Sequence, residues 1–170
     1  MPVGSESLHS SFSTWALVNQ RMTESIRDLT DAQLSHSMDS GGWPLWAVIG
    51  HAACQRVFWF CDFAGEPGAS STPFTNAALS CPGDEDLDNP LNAEQLVHAL
   101  ASTFAIVDRV LSGWTIDELD SELCQPEWGE DWVHTRGAVV QRVYSHDVWH
   151  ASQASSILTH HGLPAIEIWA

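Results

Sequence analysis

The 170-residue sequence predicts an all-α protein, a four-helix bundle with a long crossover between its second and third helices. Three observations carry this expectation. Apolar residues recur at spacings of three and four in four separate stretches. No stretch alternates apolar and polar residues as a half-buried strand would. One connection, residues 65 to 90, is far longer than an ordinary loop, as expected of a segment that crosses a domain or covers a site. Neither an internal repeat nor a composition break divides the chain, and hydrophobic residues make up 44% of it. Residues 1–170 therefore read as one domain with one sizeable core.

The first helix is expected over residues 7 to 29, with Leu8, Phe12, Trp15, Met22 and Ile26 on one stripe. The second starts near Pro44, a residue suited to a first turn, and runs to about Ala64. Its inward stripe is Ala47, His51, Cys54, Phe58 and Cys61. The third opens at "NAEQ", where Asn92 can cap and Gln95 sits at the reciprocal capping-box position. Leu96, Leu100, Val107, Val110 and Trp114 form its apolar face. The fourth starts near Thr135 and stops before Gly162 and Pro164, an ordinary helix-ending pair. The 65–90 crossover is rich in Gly, Pro, Ser and acid and too irregular for a further helix. A second connection, residues 115 to 134, holds a possible short helix at "TIDELDSEL". The tail "LPAIEIWA" is apolar enough to pack back on the body.

Charge narrows the function. Asp and Glu number 22 against six Arg and no Lys, a formal net charge of -16. Such a surface repels phosphate backbones, so no nucleic-acid partner is expected. An anionic membrane surface is disfavoured for the same reason, and no apolar run is expected to span a bilayer. The start, "MPVGSESLHSS", carries no signal-peptide pattern. The cysteines, Cys54, Cys61, Cys81 and Cys124, form no CxxC pair. Free thiols in a reducing cytoplasm are the simplest expectation, with Cys54 and Cys61 as small core residues.

The stretch "SHDVWHASQ", residues 145–153, raises the question of chemistry. His146 and His150 lie four apart, on one face of a helix. With nine histidines in the chain such a pair arises easily by accident, so its position on the helix has to decide. Val139, Val143, His146, His150, Ala154 and Ile157 make one stripe suited to the core. His51 interrupts the inward stripe of the second helix in the same way. A core imidazole must offset its desolvation with a hydrogen bond or a metal. Three of them meeting at a point would bind a divalent ion and leave a position open, as catalytic sites do. The alternative is three separate core histidines, each satisfied by a carbonyl or a water. His160 and His161 sit at a helix C-terminus, where His suits the dipole. His9, His36, His98 and His134 read as surface or terminal residues. No Gly-rich phosphate loop and no GxSxG nucleophile elbow occurs.

"WPLWAVIGHAACQRVFWF", followed far downstream by "RVYSHDVWHASQAS", resembles the DinB-like superfamily, which also includes mycothiol-dependent maleylpyruvate isomerases and bacillithiol transferases. The likeness covers nearly the whole chain in helix order, and its motifs lie in helices two and four. It implies an up-down-down-up arrangement of the four helices and a homodimer. It also implies one divalent metal ion, zinc or nickel foremost, held by His51, His146 and His150. Gln153 falls where the family's fourth helix often carries Gln or Glu. The activity implied is metal-dependent transfer of a small-molecule thiol to a small electrophile, because a metal-bound thiol loses its proton readily and the thiolate is the nucleophile. A metal-binding stress protein without turnover and a metal-dependent hydrolase are the alternatives. No catalytic residue is assigned. Arg136, at the start of helix four, is the basic residue nominated near the site, against the reading of it as a surface arginine.

Overall fold

Polar caps define where the helices begin. The computed structural model describes residues 7–75, 77, 81–84 and 86–169. Thr30, Asn92 and Thr135 each accept a bond from a backbone N–H three residues on, and the first two are full capping boxes with Gln33 and Gln95. The helices are α1 (Ser13–Ile26), α2 (Asp31–Leu34), α3 (Leu45–Val57), α4 (Ala93–Gly113) and α5 (Arg136–His160). A 3₁₀ turn, Leu8–Ser10, precedes α1 where the sequence predicts continuous helix. The short α2 is not expected from periodicity; four residues are too few to show a stripe. The end of α5 comes where expected, before Gly162 at φ +74°.

The protein is mostly helical, with one small two-stranded sheet among the described residues. The helices α1 and α3 each pack against both α4 and α5. Their apolar faces make one core in which Trp15, Met22, Phe60, Leu96, Leu100 and Val140 are fully buried. By length and composition α4 is apolar enough to cross a bilayer, contrary to the sequence expectation. Its buried face, Leu96, Leu100, Val107 and Val110, packs into this core and accounts for that composition.

Two departures from expectation follow from local physics. Beyond Val57, α3 widens into a π-helical stretch, Phe58–Phe63. The wider turn breaks the 3.6-residue period, so Trp59, Phe60 and Phe63 are buried while Phe58 and Cys61 stay half-buried. The expected stripe holds at Ala47, His51 and Cys54 and fails beyond. The connection before α5 has a 3₁₀ turn, Ile116–Glu118, within the expected short helix, and then an antiparallel hairpin, β1 (Glu122–Cys124) with β2 (Val133–Thr135), which the all-α expectation did not include. Each strand is three residues long and no more than half-buried, too little to leave an alternating pattern. His134 of β2 is a half-buried member of an aromatic cluster with Trp59, Phe63 and Trp132, not a surface residue.

Part of the 65–90 crossover lies outside the described residues. In the rest, Ala69–Ser71 is a 3₁₀ turn. Cys81 comes back to α3 and forms a disulfide with Cys54, with Cα atoms 5.6 Å apart. This corrects the reading of Cys54 as a free core thiol and removes the argument that free thiols made for a reducing compartment. Cys61 and Cys124 are free. The tail returns as expected: Leu163, Ile166 and Ile168 pack on the core.

Candidate metal centre

Three histidines from two helices converge. His51 stands at the middle of α3, and His146 and His150 stand one turn apart on α5. One ligand atom from each lies within 4.8 Å of the others. His51 and His150 are buried, 4% and 2% exposed, and His146 is half-buried. The sequence-predicted trio is therefore one spatial cluster.

Hydrogen bonds decide which nitrogens face inward. His51 Nδ1 lies 2.9 Å from the Pro82 carbonyl, which can only accept, so Nδ1 carries the hydrogen and Nε2 a lone pair. His150 Nδ1 donates in the same way to Gln153 Oε1 at 2.9 Å. Gln153 thus has a definite part: it orients a histidine of the cluster. The Nε2 atoms of His146 and His150 lie 3.1 Å apart, and His51 Nε2 lies 3.8 Å from the Asp84 carboxylate. Two lone pairs therefore meet His146, which alone of the three rings has a hydrogen to offer inward, and the Asp84 carboxylate stands beside His51. A cation would take the inward nitrogens of all three rings at once. Tetrahedral ligation at about 2.0–2.1 Å sets nitrogens about 3.3 Å apart. The His146–His150 pair already meets that spacing.

The electrostatics point the same way. Burial, then the neighbouring His150 and His51, pushes the His146 pKa down to about 3. Burial, then His51, pushes His150 down to about 4, against the opposing pull of Gln153 and Asp84. Both rings are neutral at physiological pH, which is the ligand form of imidazole.

The cluster opens on a cavity of about 460 Å³ lined also by Trp43, Asp84, Trp149 and Gln153. Trp43 lies parallel to the His150 ring at 6.3 Å and meets the His51 ring edge-on at 4.9 Å. Trp149 is 66% exposed and stands at the rim. Glycine is required at position 83: its φ is +93°, and a Cβ there would lie 2.6 Å from the Trp43 ring.

Behind the cluster, Asp147 and Arg56 form an ion pair with both side chains 0% exposed. Asp147 Oδ2 accepts from Arg56 Nε at 2.8 Å and from Trp15 Nε1 at 2.6 Å. Arg56 Nη1 donates to Asn19 Oδ1 at 2.8 Å and to Thr103 Oγ1 at 3.2 Å. Asp147 lies between His146 and His150 in sequence, so this network fixes the rotation of α5 that presents both rings.

Arg136 is not at the site. Ten residues before His146, it lies about 15 Å away along the helix. Its guanidinium donates to Ser121 Oγ at 2.9 Å, approaches Glu118 at 3.8 Å and stacks on Trp114. The sequence reading missed Trp43, Asp84, Trp149 and the Arg56–Asp147 pair. The visible signal for the last was an acid and a base on stripes otherwise apolar.

A mostly helical protein with an inward-facing three-histidine cluster beneath an open cavity is the class that the fold and the site define. Residues 14–154 match the family model of the DinB superfamily, and the chain belongs to that superfamily. Its fold is similar to the crystal structure of a DinB-like protein from Bacillus cereus ATCC 10987, with a TM-score of 0.71 and 16% identity over 97% of this chain and 99% of that one. No curated protein matches the sequence.

Proposed function

We propose that the chain binds one divalent metal ion through His51, His146 and His150 and catalyses transfer of a small thiol to a small electrophile. The observation that carries this reading is the convergence of three imidazoles with the remaining approach open to the 460 Å³ cavity. The bound ion supplies Lewis acidity that lowers the pKa of a thiol ligand. The chain's own residues do the rest. Pro82 and Gln153 hold two of the rings in the tautomer that turns Nε2 inward. Trp43 and Trp149 wall the cavity and offer flat apolar faces to the electrophile. Asp84, the carboxylate lining the cavity, is placed to accept the proton the thiol releases. The carbon–sulfur bond then forms as the leaving group departs with the electron pair of its broken bond.

The same reading treats the chain as one domain with its four long helices running up-down-down-up, and as a homodimer with neither a nucleic-acid nor a membrane partner. No Arg lines the cavity among the described residues, so the favoured thiol is one without net negative charge. The test is conjugation of a simple electrophile by the zinc- or nickel-loaded protein, with mycothiol, bacillithiol and glutathione compared. Thiol consumption that requires metal and is lost in His146→Ala supports the reading. Stoichiometric metal with no thiol consumption favours a non-catalytic metal-binding role. Metal-dependent ester hydrolysis without thiol favours the hydrolase.

A further inference from the structure

The short strap 81–84 brings two polar groups to the histidine cluster. Its Pro82 carbonyl accepts from His51 Nδ1 at 2.9 Å, and its Asp84 carboxylate lies 3.8 Å from His51 Nε2. Several contacts hold the strap down, among them a hydrogen bond from Gln55 Nε2 to Cys81 Sγ at 3.6 Å. Cys81 is bonded to Cys54, one helical turn beyond His51, and both cysteines are 0% exposed. Pro82 lies against the bare backbone of Gly50, where a Cβ would come within 3.1 Å of its ring. Gly83 lies face to face with Trp43. Of these contacts only the disulfide is covalent, and it is next in sequence to the residue that orients His51.

We propose that the Cys54–Cys81 disulfide is a positioning element of the metal centre: by holding the strap on α3 it fixes the Pro82 carbonyl against His51 and the Asp84 carboxylate beside the same ring. This rests on the metal-site reading above. A ligating histidine whose second nitrogen loses its acceptor typically binds metal 10–100-fold more weakly. Opening the disulfide frees the strap to leave α3 and releases that acceptor. The opening takes two electrons and two protons from a dithiol such as dithiothreitol. Its thiolate attacks one sulfur, the mixed disulfide closes to the cyclic disulfide, and Cys54 and Cys81 leave as thiols. Metal affinity at this centre is therefore coupled to the redox state of a pair that contributes no ligand.

The experiment measures zinc affinity of the full-length, metal-stripped protein by competition with a chromophoric chelator. It compares oxidised wild type, dithiothreitol-treated wild type, Cys54→Ala/Cys81→Ala and the control Cys61→Ala/Cys124→Ala. The expected result is a dissociation constant roughly 10–100-fold higher in the Cys54/Cys81 variant and no change in the control. The visible spectrum of the cobalt-loaded protein should shift in the same variant, reporting altered ligand geometry. A core variant away from the site, Val18→Ala, should lower the melting temperature and leave both readouts unchanged. Asp84→Asn should weaken zinc binding with the disulfide intact. Equal affinity in the Cys54/Cys81 variant and oxidised wild type overturns the proposal. So does tighter binding on reduction that Cys54→Ala abolishes, which would make Cys54 a ligand. Absence of zinc binding by oxidised wild type would instead overturn the metal-site reading itself.

Discussion

Replacing Arg56 with Met should be among the most destabilising single changes in this protein. The substitution keeps most of the apolar stem and removes the guanidinium. Asp147, 0% exposed, then keeps Trp15 Nε1 as its donor and loses its countercharge. Asn19, Thr103 and the Leu100 carbonyl lose the donor they share. Breaking one side of a buried pair costs about 3–5 kcal/mol, because the remaining charge stays buried. Against a total stability of roughly 5–15 kcal/mol, that is a large fraction. At about 2–4 °C per kcal/mol for a chain of this size, the melting temperature should fall by roughly 6–20 °C. The double variant Arg56→Met/Asp147→Leu should recover part of the loss, since the orphaned charge is gone. It should not exceed wild type, because Trp15 Nε1 and Asn19 Oδ1 lose their partners, each neutral group costing about 1–3 kcal/mol, while Thr103 keeps its bond to the Ala99 carbonyl. Urea and thermal denaturation of the wild type, the two single variants and the double variant give the coupling directly. A single variant within 2 °C of wild type (about 1 kcal/mol or less), or a double variant worse than Arg56→Met, would refute the argument that this pair organises α5.

Three further outcomes follow. Because the core is large without any ion, chelation should leave a helical, cooperatively melting protein; at ion concentrations about 100-fold over Kd the bound form gains about 2.7 kcal/mol, and chelation removes it. Loss of the helical circular-dichroism signal at room temperature on chelation would make the ion structural. In the metal-free protein, His146 and His150 have folded pKa values of about 3 and 4, below the unfolded value near 6.5, so the unfolded chain binds more protons between those limits. Stability contributed by these groups is thus present above about pH 6.5 and lost as pH falls toward 4. Asp147, raised by burial, opposes this with one proton against two. The drop in melting temperature from pH 7 to pH 5 should shrink in metal-free His146→Ala/His150→Ala, and an unchanged drop would contradict the shifts. Copper or nickel should quench part of the fluorescence of the nine tryptophans, since Trp43 and Trp149 have ring centroids 4.9 Å from His51 and 5.0 Å from His150. Trp43→Phe/Trp149→Phe should remove most of that quenching, and undiminished quenching would place the ion elsewhere.

The parts of this structure legible in the sequence are those set by neighbours along the chain. Asn92 with Gln95, Thr135 and Gly162 mark helix ends through bonds spanning three or four residues, and they fall where expected. His51, His146 and His150 were visible because a polar residue on an apolar stripe conflicts with its surroundings. The Thr30–Gln33 box was equally visible but announced a helix too short to carry a stripe. The π-helical widening after Val57 shifted the stripe without any local warning, since the aromatic cluster that stabilises it involves Trp128 and Trp132, about seventy residues on. Asp84 and the Cys54–Cys81 bond reach the centre through the crossover, a tertiary fact with no periodic trace. Of the two readings of Arg136, a place at the centre fails for a geometric reason: the first turn of a 25-residue helix lies far from its middle.

The most direct measurement of the central claim is metal content and ligation in freshly purified protein. Elemental analysis should give one divalent ion per chain, and X-ray absorption should place three imidazole nitrogens at about 2.0–2.1 Å with a further light-atom position occupied by water or buffer. His51→Ala and the His146→Ala/His150→Ala pair should each abolish stoichiometric metal, while His160→Ala keeps it. Stoichiometric metal retained in the His146→Ala/His150→Ala variant, or sulfur in the coordination shell, would contradict the account.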